Sequence, residues 1–527
     1  MSDPASIIQA PGEDMTGLGE QVESKPTILH AEEAGLKPRH ATQGGLDDVN
    51  DLVAEAGGQF NVPLTDSNRV LRKIDLYVCV PMCIVYGLQN LDKGTLSYAA
   101  VFGLQAQTKL VGTEYSWLTS CVYITQFLFQ PLSSYALVVF PVKYWVVFNL
   151  TAWSIVTICT AAATNFTGLI ICRILLGMFE ATILPSFVLI TQMCVASIIG
   201  PLMAYGIGHA TKGIKQYQGI FLFIGAVSLG FAPLVFYLLP NGPTTARFLL
   251  HGNDRLIAIE RMRENNTGTK ASKWKWHQFW EAMRDPKTWM WTLMFICVTL
   301  PSSAIGSFGG LITKGFGFND FTTILMQIPT GAIGIITLLI AIYLTNLIKT
   351  RFIIIAFLCL PAIAGACGLI YIGRDNVRGL MGCYYVCYLF ATLQPLLYSW
   401  ANLNAGGTTK RVVTTAMLFA GQCLGNAPYY HTGLYVDIAA WCCLCVLCVV
   451  MGFYLKYLNR KQARRRVALG LPAELEDISV MTSAEAEAYK RSLTERMSAQ
   501  GFDAAQLYEN AFDDLTDFEN PNFIYVW

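Results

Sequence analysis

Charge is what this sequence most lacks. Only 14% of its 527 residues are charged, against about 25% in a typical soluble domain. That shortage excludes a disordered chain, a collagen-like fibre and an ordinary cytosolic enzyme. Neither sign dominates: the net charge is +1, no basic run stands out, and nucleic acid is not an expected partner. There is no Walker A sequence, so ATP-driven pumping is not expected. There is no lipase elbow, metalloprotease motif or paired-cysteine zinc motif either. An enzyme reading therefore has no chemistry to stand on, and no cofactor or metal is implied. The first residues show no apolar core behind a basic lead, so no signal peptide is expected.

What is abundant is apolar. Hydrophobic residues make up 54% of the chain and the mean hydropathy is +0.43. Residues 74–240 hold only ten charged side chains: Asp75, Asp92, Lys93, Lys109, Glu114, Lys143, Arg173, Glu180, Lys212 and Lys215. Such a stretch reads as a series of membrane spans. All sixteen cysteines, from Cys79 to Cys448, lie in or beside apolar segments and behave as small hydrophobes rather than disulfide partners. The cluster Cys442, Cys443, Cys445 and Cys448 has no histidine or acidic neighbour except Asp437, which favours packing over a soft metal site.

Residues 1–68 are polar, with twelve acidic side chains against three basic ones, and are expected to form a disordered tail. Crossing a hydrocarbon core takes about 20 apolar residues. That window places spans near 74–91, 116–138, 144–163, 166–193, 195–210 and 219–239. A polar loop, 241–286, follows. A second set lies near 287–311, 322–345, 352–372, 379–400, 412–429 and 433–455, and a basic tail begins at Lys456. The expected architecture is an all-α membrane protein of two six-helix bundles, 69–240 and 287–455. Lys and Arg concentrate in the central loop, in the tail 456–527 and just before the first span, so both termini are expected in the cytosol.

The fifth span looks truncated. Val195 to Gly208 is 14 residues, about 21 Å of helix. In the central loop, Asp254 is expected to cap a helix to about Glu264. Trp276, Phe279, Trp280 and Met283 recur at helical spacing, as in a helix lying on a membrane surface. Asp285-Pro286 reads as the cap and first residue of the seventh span. In the tail, Thr482 and Glu485 read as a capping box for a helix to about Ala499.

Four charged residues within the spans are the candidates for chemistry: Asp92, Lys93, Arg173 and Glu180. A charge at the centre of a membrane helix costs about 2.5–3.5 kcal/mol on insertion scales. Arg173 and Glu180 share a face but lie about 10 Å apart along the axis, too far to pair in a straight helix. Each needs water, a ligand or a partner elsewhere, which suits a polar cavity. Cations there can bind an anion, and acids can exchange a proton. A buried ion network that only fixes packing is the competing reading, and for Asp92 and Lys93 so is a helix end reaching headgroups. Gly177 is expected to allow close helix contact. Gln394, Tyr398, Ser399, Gln422 and Asn426 could complete the site from the second set. Interhelical hydrogen bonding is the commoner explanation for each of these, as it is for Tyr123. His209 is expected at a helix end.

The run Leu91-Asp-Lys-Gly-Thr-Leu-Ser-Tyr-Ala-Ala-Val-Phe-Gly103 resembles the first-span signature of fungal allantoate permease-type transporters. Tyr115-Ser-Trp117, Arg173-Ile-Leu-Leu-Gly-Met-Phe-Glu180, Ala420-Gly-Gln-Cys-Leu-Gly-Asn426 and the tail Leu515-Thr-Asp-Phe-Glu-Asn-Pro-Asn-Phe-Ile-Tyr525 are similar as well. This is the anion:cation symporter branch of the major facilitator superfamily. The resemblance covers about residues 69–527. It implies the major facilitator fold, alternating access, and a monomer in the plasma membrane of a fungal cell. The implied partners are a small organic anion, such as allantoate, ureidosuccinate, a small peptide or nicotinate, together with a proton and the lipid bilayer.

By the same resemblance, Lys93 and Arg173 contact substrate, with Tyr123, Ser399 and Asn426 as further cavity contacts. Asp92 and Glu180 are the proton-coupling acids. The chain departs from the family pattern around 194–197, near Ala427-Pro428 and at Pro141-Val-Lys143, where segments look lost or shortened. The incomplete fifth span supports an alternative from another class: a membrane sensor, or an inactive relative, that does not transport.

Overall fold

The structure, a computed structural model, describes residues 64–74, 76–77, 80–181, 186–210, 213–239, 274–373, 375–426, 433–469 and 514–527, with isolated positions elsewhere. Among the described residues there is no strand. The expected disordered tail lies outside them up to residue 63, and the capping box at Thr482 lies outside as well. The expected shortfall of the fifth span falls on 182–196, where the joint and the flanking side chains are also outside.

A short helix, α1 (Leu64–Ile74), precedes the first half and starts inside the stretch read as tail. Six long helices then follow: α2 (Val80–Val101), α3 (Glu114–Val139), α4 (Val142–Thr160), α5 (Phe166–Glu180), α6 (Ser186–Ala210) and α7 (Gln216–Leu238). The first span corrects the sequence reading. Hydropathy stops the helix at residue 91, because Asp92 and Lys93 interrupt the apolar run. In the structure α2 continues to Val101, and Asp92 lies near its middle with its charge buried. Asn165 caps α5 by accepting from Gly168 N at 2.8 Å.

The second half opens with the short helix α8 (Trp276–Arg284), as the aromatic spacing implies. Gln278 and Ala282 face the protein, while Trp276 and Trp280 point outward, the arrangement of a helix lying on a membrane. Then come α9 (Pro286–Lys314), α10 (Ile328–Ile348) and α11 (Arg351–Tyr371). The tenth crossing is broken into α12 (Val377–Cys387), a 3-10 stretch (Tyr388–Thr392) and α13 (Leu393–Leu403). Pro395 accounts for the break, because it cannot donate to the carbonyl of Ala391 one turn back. The set ends with α14 (Thr408–Asn426) and α15 (Gly433–Ala468). Asp285 caps α9 by accepting from Lys287 N, with Pro286 in the first turn, as expected. The helix that Asp254 is expected to cap lies outside the described residues except for isolated positions. Asp254 itself accepts from Arg69 at 2.7 Å and Lys73 at 2.6 Å, tying α1 to the central loop.

Within the first half, α4 packs on α7, α2 on α6, and α3 on α5. Within the second, α9 packs on α14 and α11 on α15. The halves meet where α2 touches α9, α3 touches α14, and α6 touches α10. At one end of the bundle these contacts are aromatic. Phe102 meets Phe321 at 5.5 Å, His209 meets Phe321 at 4.1 Å, and Tyr115 meets Phe308 at 5.8 Å. Lys314 adds a bond across the halves, donating to Val101 O at 3.2 Å.

The opposite end carries α8 and the last fourteen residues, Asp514–Trp527, which lie across the second half. Asp517 is fully buried there between Lys287 and Lys410. Burial alone would push its carboxyl up, but the two ammonium groups hold it below the ordinary carboxylate range. A depressed folded-state pKa gives stability that is present above the unfolded value, about 3.9, and lost as pH falls through the folded one. The tail is therefore expected to stay docked at pH 5 as at pH 7, with release only in stronger acid. Backbone hydrogen exchange of residues 514–527 at both pH values checks this, and loss of protection at pH 5 contradicts it.

Candidate functional site

The first half folds around a cleft whose space, with the solvent open to it, is about 410 Å³. Lys93, Leu96 and Ser97 of α2 line it, with Tyr115, Leu118, Thr119, Val122 and Tyr123 of α3, and Arg173, Leu176 and Glu180 of α5. Four of the residues singled out in the sequence thus come together: Lys93, Tyr123, Arg173 and Glu180. Gly177 is the reason α3 and α5 approach closely enough. A Cβ there would stand 2.5 Å from Val122 O and 3.0 Å from Thr125 Cβ. Gly177→Leu must push the helices apart, an overpacking cost of about 1–3 kcal/mol. A lowered unfolding midpoint is expected for the purified protein, and an unchanged midpoint contradicts the contact.

The charged groups are not locked against one another. Arg173 is buried, and its Nε and Nη2 have no hydrogen-bond partner. Its guanidinium lies over the Phe221 ring at 5.6 Å. Asp92 accepts from Thr157 Oγ1 at 3.2 Å through one oxygen, and its other oxygen has no donor. Glu180 likewise uses one oxygen, accepting from Gln126 Nε2 at 2.8 Å, and leaves the other without a donor. The two carboxyls stand within hydrogen-bonding reach of each other. Such a bond forms only when one of them carries a proton.

Glu180 also borders a second cleft of about 270 Å³, lined by Val85, Gln89, Val146, Asn149, Leu150, Trp153 and Phe179. Its lining residues come from the tail-side parts of α2 and α4 and the end of α5. Glu180 is the only residue lining both described clefts.

Sequence reasoning missed Gln126, Gln89 and Thr157. Each is an uncharged polar residue in a span, of a kind common enough to carry no signal alone. Gln126 is fully buried, and Gln89 donates to Glu180 O at 3.3 Å. The second-half candidates are placed elsewhere. Tyr398 donates to Gln422 Oε1 at 3.3 Å and its ring packs on Phe295. Ser399 is half-buried on α13 and Asn426 is buried at the end of α14. Neither these two nor Gln394 lines either cleft. His209 occupies the last turn of α6, as expected, with Nδ1 3.0 Å from Tyr205 O.

Known proteins share this architecture. The model of the Major Facilitator Superfamily matches residues 82–194 and 188–428. An uncharacterized transporter of Schizosaccharomyces pombe is 31% identical, over 90% of this chain and 91% of that protein. The allantoate permease of Saccharomyces cerevisiae is 26% identical, over 91% of this chain and 90% of its own length. Among solved structures, the proton:xylose symporter XylE superimposes with a TM-score of 0.56, at 12% identity, covering 71% of this chain and 95% of that one.

Proposed function

The chain belongs to the major facilitator superfamily of membrane transporters, and within it we propose proton-coupled uptake of a small organic anion by alternating access. The observation that carries this reading is the first-half cleft. It holds a buried guanidinium with unused donors, a lysine, and a glutamate whose second oxygen has no donor. An anion entering the cleft supplies the acceptors that Arg173 lacks, and Lys93 adds attraction. With one proton shared between Asp92 and Glu180, the four groups sum to two positive charges and one negative, or +1. That balance complements a monoanion, so proton and anion bind best together. Tyr123 offers a hydroxyl at the same wall. Ser399 and Asn426 are assigned to the state in which the second half has moved towards the cleft.

The basic segments favour a cytosolic position for the tail-bearing end, and the yeast relatives favour a fungal cell, in whose plasma membrane we place the protein. The aromatic end that is shut here then faces outward. Similarity to allantoate permease favours ureido acids among the possible carboxylates.

Uptake of labelled allantoate, ureidosuccinate and nicotinate in permease-deficient cells tests the proposal. One of them is expected to enter faster at pH 5 than at pH 7, and a protonophore is expected to stop the accumulation. Uptake that ignores both refutes coupling. Binding without uptake would instead make the protein a sensor.

A further inference from the structure

The tail Asp514–Trp527 is held as a bound peptide is held, by charge at one end and main-chain pairing at the other. Asp514 meets Lys275 at 2.9 Å and accepts from Thr408 N and Oγ1 at 2.5 and 2.8 Å. Asp517 lies between Lys287 and Lys410, and also accepts from Tyr525 OH at 2.9 Å. Farther along, Asn459 exchanges two hydrogen bonds with the backbone of Tyr525, at 2.6 and 2.8 Å. Asn404 does the same with Val526, at 2.9 and 2.8 Å. Arg351 N donates to Trp527 O at 3.2 Å, and Lys456 sits over the Trp527 ring at 3.7 Å. A side chain at Gly406 would strike the Asp517 backbone at 2.5 Å. These contacts link α8 and the tail-side ends of α9, α11, α13, α14 and α15.

The charges say why the segment is acidic. Lys410 meets Glu281 and Asp285, Lys287 meets Asp285 as well as Asp517, and Lys275 and Arg411 face the tail carboxylates. Among these groups four positive charges stand against two negative, and Asp514 with Asp517 balance them. Without the tail, Lys287 and Lys410 share only Asp285 and Glu281, and Lys275 and Arg411 lose their carboxylate, so the socket favours an acidic occupant.

We infer that Asp514–Trp527 is an acidic peptide ligand of the chain's own second half, and that its seating holds this half as one rigid body through the transport cycle. The substrate cleft lies in the other half, so unseating stops turnover without destroying binding. This second clause rests on the transport reading above, and the first does not.

The test uses the full chain with a specific-protease site inserted at position 500. After cleavage in the membrane, the C-terminal peptide is expected to stay with the wild-type protein. In the pair Asp514→Asn and Asp517→Asn, the retained fraction is expected to fall at least tenfold. Peptide leaving the wild type as readily as the variant overturns the socket. The variant, with its peptide released, is expected to lose uptake at least tenfold while still binding the labelled carboxylate. Uptake at the wild-type rate overturns the role in transport. Because retention is measured without substrate, failure of the transport proposal leaves the socket result standing. Gly406→Leu, which blocks the seat and keeps every charge, is expected to release the peptide too, and full retention in it contradicts the assigned contact.

Discussion

Uptake is expected to fall to background when Arg173 is replaced by alanine, while the protein still reaches the membrane. The two results follow from one fact. Arg173 is buried in a span with two donor nitrogens unused, so in the empty protein it costs desolvation without full return. Removing it relieves that cost and leaves packing at Gly177 and Phe221 to hold α5. A purely structural arginine would behave differently: its loss would leave a partner carboxylate stranded and reduce the amount of folded protein. Truncating one member of a buried charge pair costs about 2–5 kcal/mol, a loss of about 30-fold or more in affinity for the anion. Arg173→Lys keeps the charge but not the planar fork, and is expected to fall between the two. Uptake and surface abundance, measured on the same cells, check this; undiminished transport in Arg173→Ala removes the residue from the mechanism.

Much of this site was legible because charge in a span is conspicuous. Lys93, Arg173 and Glu180 stand out against an apolar background, and the helical repeat puts the last two on one face. Spacing did not reveal that Asp92 lies mid-helix. A hydropathy window reads its charge as an end, whereas Thr157 on another helix shelters it. Gln126 was invisible for a related reason: its importance comes from the carboxyl it meets, 54 residues away. Lys287 and Lys410 lie at one end of the bundle, and both are almost wholly buried. The partner that allows this, Asp517, is 230 residues from Lys287, and no local pattern connects the two. Helix starts were legible where a cap writes itself into sequence, as at Asp285-Pro286.

Glu180→Gln is expected to abolish accumulation against a gradient yet preserve exchange of labelled for unlabelled substrate across the membrane. The side chain keeps its shape and can still meet Gln126, so the wall of the cleft survives. What it loses is the ability to take up and release a proton. In the native chain, Glu180 faces Asp92 with one oxygen lacking a donor, and a proton between them removes one negative charge from beside the anion. The amide instead donates permanently to Asp92, fixing the cleft in the equivalent of its protonated state. An anion can then enter and leave, but its binding is no longer linked to a proton. Glu180 also borders the second cleft, so one side chain lines both. Asp92→Asn keeps the acid that both clefts share, and is expected to reduce accumulation less than Glu180→Gln does. Accumulation and counterflow, compared in vesicles with and without an imposed pH gradient, separate these outcomes. Gradient-driven accumulation surviving in Glu180→Gln, with its pH dependence intact, would move the coupling to another group.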